Sequence, residues 1–193
     1  MAGRPRTSVR YSDSAPSSLE LSYSDAGGGE QALASATPGS FPGEQGGERR
    51  GWWCFVAGTP TLTRDGRIPI ERVGIGTLLA GISPSRRERF WAEVTAVHAA
   101  LTCKLVVIRL EREAIACTAH HPFLELHRGW TQAGLLFAGD TLLDWHLRPV
   151  RVVAVEHVSL PQPVPVYGIT VGQVGTYLVG QSELLVHNKF RLD

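Results

Sequence analysis

The sequence predicts an all-β domain that is preceded by a disordered N-terminal tail. Residues 1–51 are rich in Ser, Gly, Ala, Pro and Glu, and their few apolar residues show no periodicity. A stretch of this composition buries too little apolar surface to offset the entropy that it loses on ordering. From residue 52 onward, short apolar or alternating runs are separated by turn residues, which is typical of many short strands. We therefore assign residues 1–51 to the tail, 52–189 to a folded domain and 190–193 to a C-terminal remnant.

The strand-like runs follow one another through the folded domain with few helical signals between them. An Asp-Gly turn signal within TLTRDGRIPI lies between strand-like flanks and predicts an early hairpin. Later runs are rich in Val, Ile, Thr and aromatic residues: FWAEVTAVHAA, CKLVVIRLE, AIACTAHHPFLEL, VRVVAVEHVSL, VYGITV and TYLVG. The segment TQAGLLFAG predicts one or two helical turns, and no long amphipathic helix is indicated. This succession of short strands favours a compact all-β domain.

The composition argues against several classes of partner. The formal net charge of +1 gives no reason to expect a nucleic-acid or membrane surface, and no run of about 18 apolar residues predicts a membrane span. No apolar segment follows the basic N-terminus, so no secretory signal is predicted, and a cytoplasmic location and export without a signal peptide both stay open. We expect a monomer.

Cysteine usage indicates neither a disulfide framework nor a zinc site. The three cysteines, Cys54, Cys103 and Cys117, cannot all pair with one another, and their spacing matches no zinc pattern. We therefore favour a reducing compartment and expect no cofactor. Cys103 and Cys117 are expected in the core.

Cys54 is the first candidate for chemistry because it lies where the tail meets the folded domain. A thiol at this boundary can attack the carbonyl of the preceding residue, Trp53, and convert the amide into a thioester. The thiolate is the nucleophile and a free cysteine has a pKa of about 8.5, so the reaction needs a neighbouring acid/base group. The alternative is that Cys54 is a small buried hydrophobic residue.

A second candidate lies in the segment CTAHHPFL, where Thr118 and His121 are three residues apart near a strand end. A histidine with a pKa near 6.5 can bond a scissile amide nitrogen and give it a proton, and a threonine hydroxyl can support the same group. Two alternatives stay open. The histidines could simply lie in a solvated loop, or Cys117, His120 and His121 could bind a metal, although neighbouring strand residues point to opposite faces.

The third candidate is the pair His187-Asn188, which follows the apolar run LLV close to the end of the sequence. An asparagine side-chain amide can attack its own backbone carbonyl, which forms a succinimide and cuts the chain after the asparagine. The preceding histidine can polarise that carbonyl or protonate the leaving nitrogen.

In this order, the three sites resemble the Hint domains, the fold shared by inteins, the hedgehog autoprocessing domain and bacterial toxin modules. The segment CFVAGTPTLTRDGRIPIERVGIGT is similar to their opening block, TAHHPFLELHRGWTQAGLLFAGDTL to the second, and VYGITVGQVGTYLVGQSELLVHN to the closing blocks. The bacterial polymorphic-toxin (pretoxin) group is the most similar. The resemblance implies a horseshoe-like all-β Hint fold with both chain ends in one central cleft.

The resemblance also implies a role for each candidate residue. Cys54 is the expected acyl-shift nucleophile, and Thr118 and His121 are expected to activate the Trp53–Cys54 bond. His187 is expected to assist Asn188 in cleaving the bond to Lys189. The substrate is then the protein's own flanking segments, and no cofactor is implied.

Two positions depart from the pattern of the family. A splicing intein has Cys, Ser or Thr directly after the terminal asparagine, whereas this chain has Lys189, whose ammonium group with a pKa near 10.4 is a poor acceptor. We therefore expect self-cleavage rather than splicing. Hint closing blocks also often have a histidine where this chain has Gly175, directly before Thr176-Tyr177. These departures support the alternative of an inactive Hint remnant that acts as a spacer or interaction module.

Overall fold

The structure, a computed structural model, describes residues 6–11, 19–24, 53–172 and 175–188. It confirms the all-β prediction, because the regular elements within these residues are fifteen strands and two short 3-10 helices. The strands are β1 Arg6–Tyr11, β2 Leu19–Ser24, β3 Phe55–Val56, β4 Pro60–Thr63, β5 Gly66–Pro69, β6 Leu78–Ser83, β7 Glu88–Arg109, β8 Ala114–Cys117, β9 Pro122–Glu125, β10 Gly129–Gln132, β11 Thr141–Leu143, β12 Pro149–Arg151, β13 Ala154–Val171, β14 Thr176–Val179 and β15 Leu184–His187. The helices are Ile70–Arg72 and Ala133–Leu135, and the second supplies the helical turn expected in TQAGLLFAG.

The N-terminal tail contributes one hairpin to the described residues. Strands β1 and β2 pair antiparallel and form a two-stranded sheet apart from the main one. The remainder of residues 1–51 lies outside the described residues, so the disordered tail stays a prediction there. No helix in the described part of the chain has the length and hydropathy that are needed to cross a membrane.

The main sheet is dominated by a long arm in which β7 pairs antiparallel with β13. The sequence predicted several short strands here, but β7 runs unbroken for 22 residues and β13 for 18. The apolar alternation is interrupted near Pro161 and Pro163, whose side chains are exposed, and the pairing register shifts between Ser159 and Val164. A β-bulge can contain proline, and exposed positions on a strand can carry polar side chains. The strand therefore continues through these interruptions.

Four strands position the first candidate residue. Strand β3 pairs with β8 on one side and with β13 on the other, and β7 also pairs with both β8 and β13, so the four strands close a ring. Phe55 lies opposite Cys117 and also opposite Tyr167. Strand β3 is therefore held from both sides, and Cys54 lies directly before it.

Three other strands position the C-terminal candidates. Strand β15 pairs with β14 and with β9, with Thr176 opposite His187 and Phe123 opposite Val186. The buried carboxylate of Glu113 accepts hydrogen bonds from the backbone N–H groups of Gln181 (2.8 Å) and Ser182 (2.6 Å). These bonds tie the turn between β14 and β15 to the segment before β8. They therefore stabilise the hairpin that ends in His187 and Asn188.

The largest core cluster lies between these two groups of strands. Phe55, Phe123 and Tyr177 are among its largest fully buried side chains. The ring of Phe55 contacts the other two edge to face, with centroids 6.0 Å apart for Phe55 and Phe123 and 6.5 Å apart for Phe55 and Tyr177. Fully burying a side chain of this size contributes about 1.5–3 kcal/mol to the stability of the fold. Because a protein core is close-packed, this cluster forms a rigid connection between the N-terminal and C-terminal candidates.

Candidate active site

Cys54 and Thr118 are joined through the backbone amide that would have to break. The N–H of Cys54 donates to Oγ1 of Thr118 at 3.1 Å, and the N–H of Thr118 donates to the carbonyl oxygen of Cys54 at 2.9 Å. The nitrogen of Cys54 would be the leaving group if the Trp53–Cys54 bond were cleaved. A hydroxyl, which can both accept and donate a proton, therefore lies in contact with that leaving group.

Gly168 of β13 lies against the same bond from the other side. The register of β3 and β13, with Tyr167 opposite Phe55, continues to Gly168 opposite Cys54. A Cβ atom on Gly168 would lie 2.8 Å from the carbonyl oxygen of Trp53 and 3.1 Å from Sγ of Cys54. Glycine at this position allows the backbone of β13 to approach the carbonyl of Trp53 and the thiol of Cys54 closely.

Asn188 reaches the next residue of β13. Its side chain is almost completely buried, and Nδ2 donates a hydrogen bond to the carbonyl oxygen of Ile169. Its backbone N–H donates to the carbonyl oxygen of Gly175 at 2.7 Å, which extends the pairing of β14 and β15 by one residue. The two candidate reaction sites, far apart in the sequence, therefore meet at Gly168 and Ile169.

His121 is fully buried beside both sites. Its ring stacks at a tilt on Phe55 with a centroid distance of 4.1 Å, and the register of β9 and β15 continues to place it opposite Asn188. The pKa of His121 is lowered from 6.5 to about 3, mainly by burial and also by charge repulsion from His187, while a hydrogen bond with the backbone of Trp53 opposes both effects. A carbonyl acceptor has this last effect, so the imidazole faces the backbone of Trp53 and is neutral at pH 7.

His187 is half-buried and lies between two tryptophan rings. Its ring centroid is 6.1 Å from that of Trp53 and 5.1 Å from that of Trp130, and both contacts are edge to face. Trp53 precedes Cys54 directly, and His187 precedes Asn188 directly. The aromatic contacts thus connect the residues that flank the two candidate sites.

Burial also affects Cys54, the candidate nucleophile. It raises the pKa of the Cys54 thiol to about 12, so the thiol is protonated at pH 7. Because the thiolate is the nucleophile, attack requires that a neighbouring base take the proton as the new bond forms. The neutral imidazole of His121 and the hydroxyl of Thr118 are the neighbouring groups that can take part in this proton transfer.

The burial of His121 predicts a pH dependence of stability. Its pKa is about 3 in the folded protein and about 6.5 when exposed, so between these values the unfolded chain binds one more proton. As the pH falls below about 6.5, protonation of His121 favours the unfolded chain, and the free energy of unfolding decreases. Well above pH 6.5 the histidine is neutral in both states and this effect disappears. From pH 7.5 to 5.0 we expect a loss of about 2 kcal/mol in the free energy of unfolding, measured by urea titration.

Matched variants isolate this contribution. His121→Leu should remove it and flatten the dependence on pH, whereas His120→Gln, which changes the exposed neighbour, should retain the wild-type slope. Equal slopes for the wild type and His121→Leu would contradict the assignment.

The structure brings together the residues that the sequence indicated and adds others. Cys54, Thr118, His121 and Asn188 surround one region, and His187 lies beside Trp53. The metal alternative gains no support, because His120 is exposed and bonded to Gln132 at 3.2 Å, and no group of three potential ligands converges within the described residues. The expectation that Cys103 lies in the core is wrong: it is exposed on the β7 arm, where alternate side chains face solvent.

Three contributors were missed by the sequence analysis: Gly168, Trp130 and Tyr177. A glycine inside the strand-like run VYGITV is a signal of close backbone approach, and it could have indicated Gly168. Trp130 and Tyr177 have no comparable signal, since an aromatic residue in a strand is ordinarily part of the core.

Comparison with solved structures identifies the fold. The bacterial intein-like domain from Clostridium thermocellum is 33% identical, with a TM-score of 0.69 over 72% of this chain and 100% of that one. The gp41-1 intein is 21% identical with a TM-score of 0.58, over 70% of this chain and 98% of that one. The Ssp DnaB mini-intein variant M86 is 16% identical with a TM-score of 0.61, over 72% of this chain and 96% of that one. No curated protein matches the chain. The protein therefore has the intein-like Hint fold, as its three sequence blocks predicted.

The family follows from a match along most of the folded domain. The family model of the pretoxin Hint domain matches residues 61–189. The chain belongs to the pretoxin Hint domain family, which confirms the resemblance seen in the sequence.

Proposed function

We propose that this Hint domain cleaves its own chain, through a thioester at Cys54 and through cyclisation of Asn188. The observation that carries the proposal is the meeting of both sites on β13. Gly168 lies against the Trp53–Cys54 bond, and the neighbouring Ile169 binds the side chain of Asn188. One buried imidazole, that of His121, lies beside both. The substrate is the protein's own flanking segments.

The N-terminal reaction is an acyl shift from nitrogen to sulfur. Sγ of Cys54 bonds to the carbonyl carbon of Trp53, and the bond from that carbon to the nitrogen of Cys54 breaks. The proton of the thiol passes to the leaving nitrogen, with His121 and the Thr118 hydroxyl as the neighbouring transfer groups. Water or an added thiol then attacks the thioester and releases residues 1–53.

The C-terminal reaction is a cyclisation of Asn188. Nδ2 bonds to the backbone carbonyl carbon of Asn188, and the bond from that carbon to the nitrogen of Lys189 breaks. One proton leaves Nδ2 and one joins the nitrogen of Lys189, so the reaction needs no other reactant. His187, directly before Asn188, is the group that we assign to polarise the carbonyl or protonate the leaving nitrogen.

The residue after Asn188 favours cleavage over splicing. Ligation of the flanks needs a hydroxyl or thiol at this position to accept the acyl group, and this chain has Lys189. The ammonium form of lysine, with a pKa near 10.4, is not a nucleophile at pH 7. Two separate cleavages are therefore the expected outcome.

Thiol-induced release tests the proposal. The purified chain is incubated with dithiothreitol, and its products are weighed by mass spectrometry. We expect a fragment of residues 1–53, and a new C-terminus at Asn188 as a succinimide or its hydrolysis product. Hydroxylamine should trap the same N-terminal fragment as a hydroxamate at Trp53, because it attacks thioesters.

A phosphine reductant serves as the matched control reagent. It keeps thiols reduced but does not attack a thioester by sulfur exchange, so it should release less of residues 1–53 than dithiothreitol does. A chain that stays intact in dithiothreitol and in hydroxylamine overturns the N-terminal reaction. An intact C-terminus under all conditions overturns the C-terminal one.

A further inference from the structure

Tyr177 is a buried polar residue that the proposed mechanism does not use. Its side chain is fully buried at the centre of the main core cluster, and its ring lies 6.3 Å from that of His121. Within the described residues its hydroxyl has no hydrogen-bond partner at normal geometry, and neither does Oδ1 of Asn188. A buried hydroxyl without a partner is costly, and such groups often have a function.

The strand register directs Tyr177 towards Asn188. Tyr177 lies opposite Val186, and the backbone N–H of Asn188 bonds to Gly175, two residues before Tyr177. Residues two apart on a strand share a face, so Tyr177 and Asn188 are diagonal neighbours on the same face, within reach of a long side chain. Gly175, directly opposite Asn188, has no side chain to fill the space between them.

The electrostatics agree with this geometry. Burial raises the pKa of Tyr177 well above its usual value of 10.0, whereas the side chain of Asn188 lowers it. A group lowers the pKa of a phenol when it donates a hydrogen bond to the phenolic oxygen. The amide nitrogen Nδ2 is the donor of Asn188, and it also faces the carbonyl oxygen of Ile169.

We propose that Tyr177 is a positioning residue for the cyclisation of Asn188, with its hydroxyl and the carbonyl of Ile169 as two acceptors that hold Nδ2. The inference rests on the proposed function. A carboxamide that rotates freely seldom points its nitrogen at its own backbone carbonyl, and two fixed acceptors restrict that rotation. One of the two Nδ2 protons must also leave during ring closure, and an acceptor polarises the N–H bond that breaks.

Tyr177→Phe tests the proposal because it removes the hydroxyl and keeps the ring. We expect cleavage after Asn188 to slow about tenfold, equivalent to about 1.4 kcal/mol of transition-state free energy. Thiol-induced release of residues 1–53 should keep its wild-type rate in the same sample. Both rates are followed by mass spectrometry after dilution from denaturant.

Three further measurements separate positioning from a general structural effect. Tyr167→Phe removes the hydroxyl of a half-buried tyrosine in β13 and should leave both rates unchanged. In nitrogen-15 NMR spectra, Tyr177→Phe should shift the side-chain NH2 signals of Asn188 and speed their exchange with solvent, even where cleavage is slow. The midpoint of urea unfolding should stay close to the wild-type value, because Nδ2 of Asn188 keeps its bond to the carbonyl oxygen of Ile169 and the variant no longer buries a hydroxyl.

Three results would overturn the proposal. In Tyr177→Phe, cleavage after Asn188 could keep its wild-type rate, or the NH2 signals of Asn188 could stay unchanged. In the third, both cleavage rates would fall equally and the free energy of unfolding would fall with them. A wild-type chain that never cleaves after Asn188 would overturn it as well. In that case the release of residues 1–53 still decides the N-terminal part of the proposed function by itself.

Discussion

Replacement of Cys54 by Ala should abolish the thiol-induced release of residues 1–53, a loss on the order of a thousandfold or more. The methyl group of alanine cannot form the thioester, and no other thiol can take its place. Cys117 points to the opposite face of the β3–β8 pair, and Cys103 is exposed on the β7 arm. The measurement is the yield of residues 1–53 in dithiothreitol over time.

Cys103→Ala is the matched control for this variant. It removes an exposed thiol outside the site and should cleave at the wild-type rate. Cleavage after Asn188 should persist in Cys54→Ala, since that cyclisation shares no reacting atom with the thioester. Release of residues 1–53 at an undiminished rate from Cys54→Ala would show that the cleavage is hydrolysis by another route.

The second large effect is expected for Gly168→Ala. The added Cβ would lie 2.8 Å from the carbonyl oxygen of Trp53 and 3.1 Å from Sγ of Cys54, closer than real Cβ atoms approach a backbone oxygen. The added methyl group must therefore displace the carbonyl of Trp53 or the backbone of β13, and that carbonyl belongs to the proposed reacting group. A displacement of about 1 Å can slow a reaction about a hundredfold, so we expect release of residues 1–53 to fall by that order.

Gly172→Ala provides the comparison for Gly168→Ala. Gly172 follows the same strand, and a Cβ there meets its nearest atoms at 3.8 Å, an ordinary contact. This variant should keep the wild-type rate, and circular dichroism should show both variants folded. If Gly168→Ala cleaves as fast as the wild type, the close approach of β13 does not matter to the reaction.

The fold class could be predicted because it depends on local patterns. The alternation of apolar residues, the Asp-Gly turn after Thr63 and the polar composition of residues 1–51 each act over a few residues. The lengths of β7 and β13 could not be predicted in this way. A strand continues wherever a partner's backbone continues to bond with it, and that partner is far away in the sequence.

The same distinction between local and distant contributions applies to the residues of the candidate site. Cys54, Thr118, His121 and Asn188 carry reactive groups, so the chemistry open to them can be inferred from their residue types alone. Gly168 and Ile169 contribute an absent side chain and a backbone carbonyl. A glycine inside a strand-like run signals a close backbone approach but not to which atoms, and a backbone carbonyl has no sequence signature. Each matters only because of the strand that lies opposite.

By itself, the sequence determined that this is an all-β Hint domain, which reactive residues it carries, and that Lys189 follows the terminal asparagine. Only the tertiary structure decided that Cys54 and Asn188 meet at Gly168 and Ile169, and that Tyr177 is directed towards Asn188. The physical reason is strand register. A shift of one residue turns every side chain to the other face, and register is set by contacts between strands that are distant in the chain.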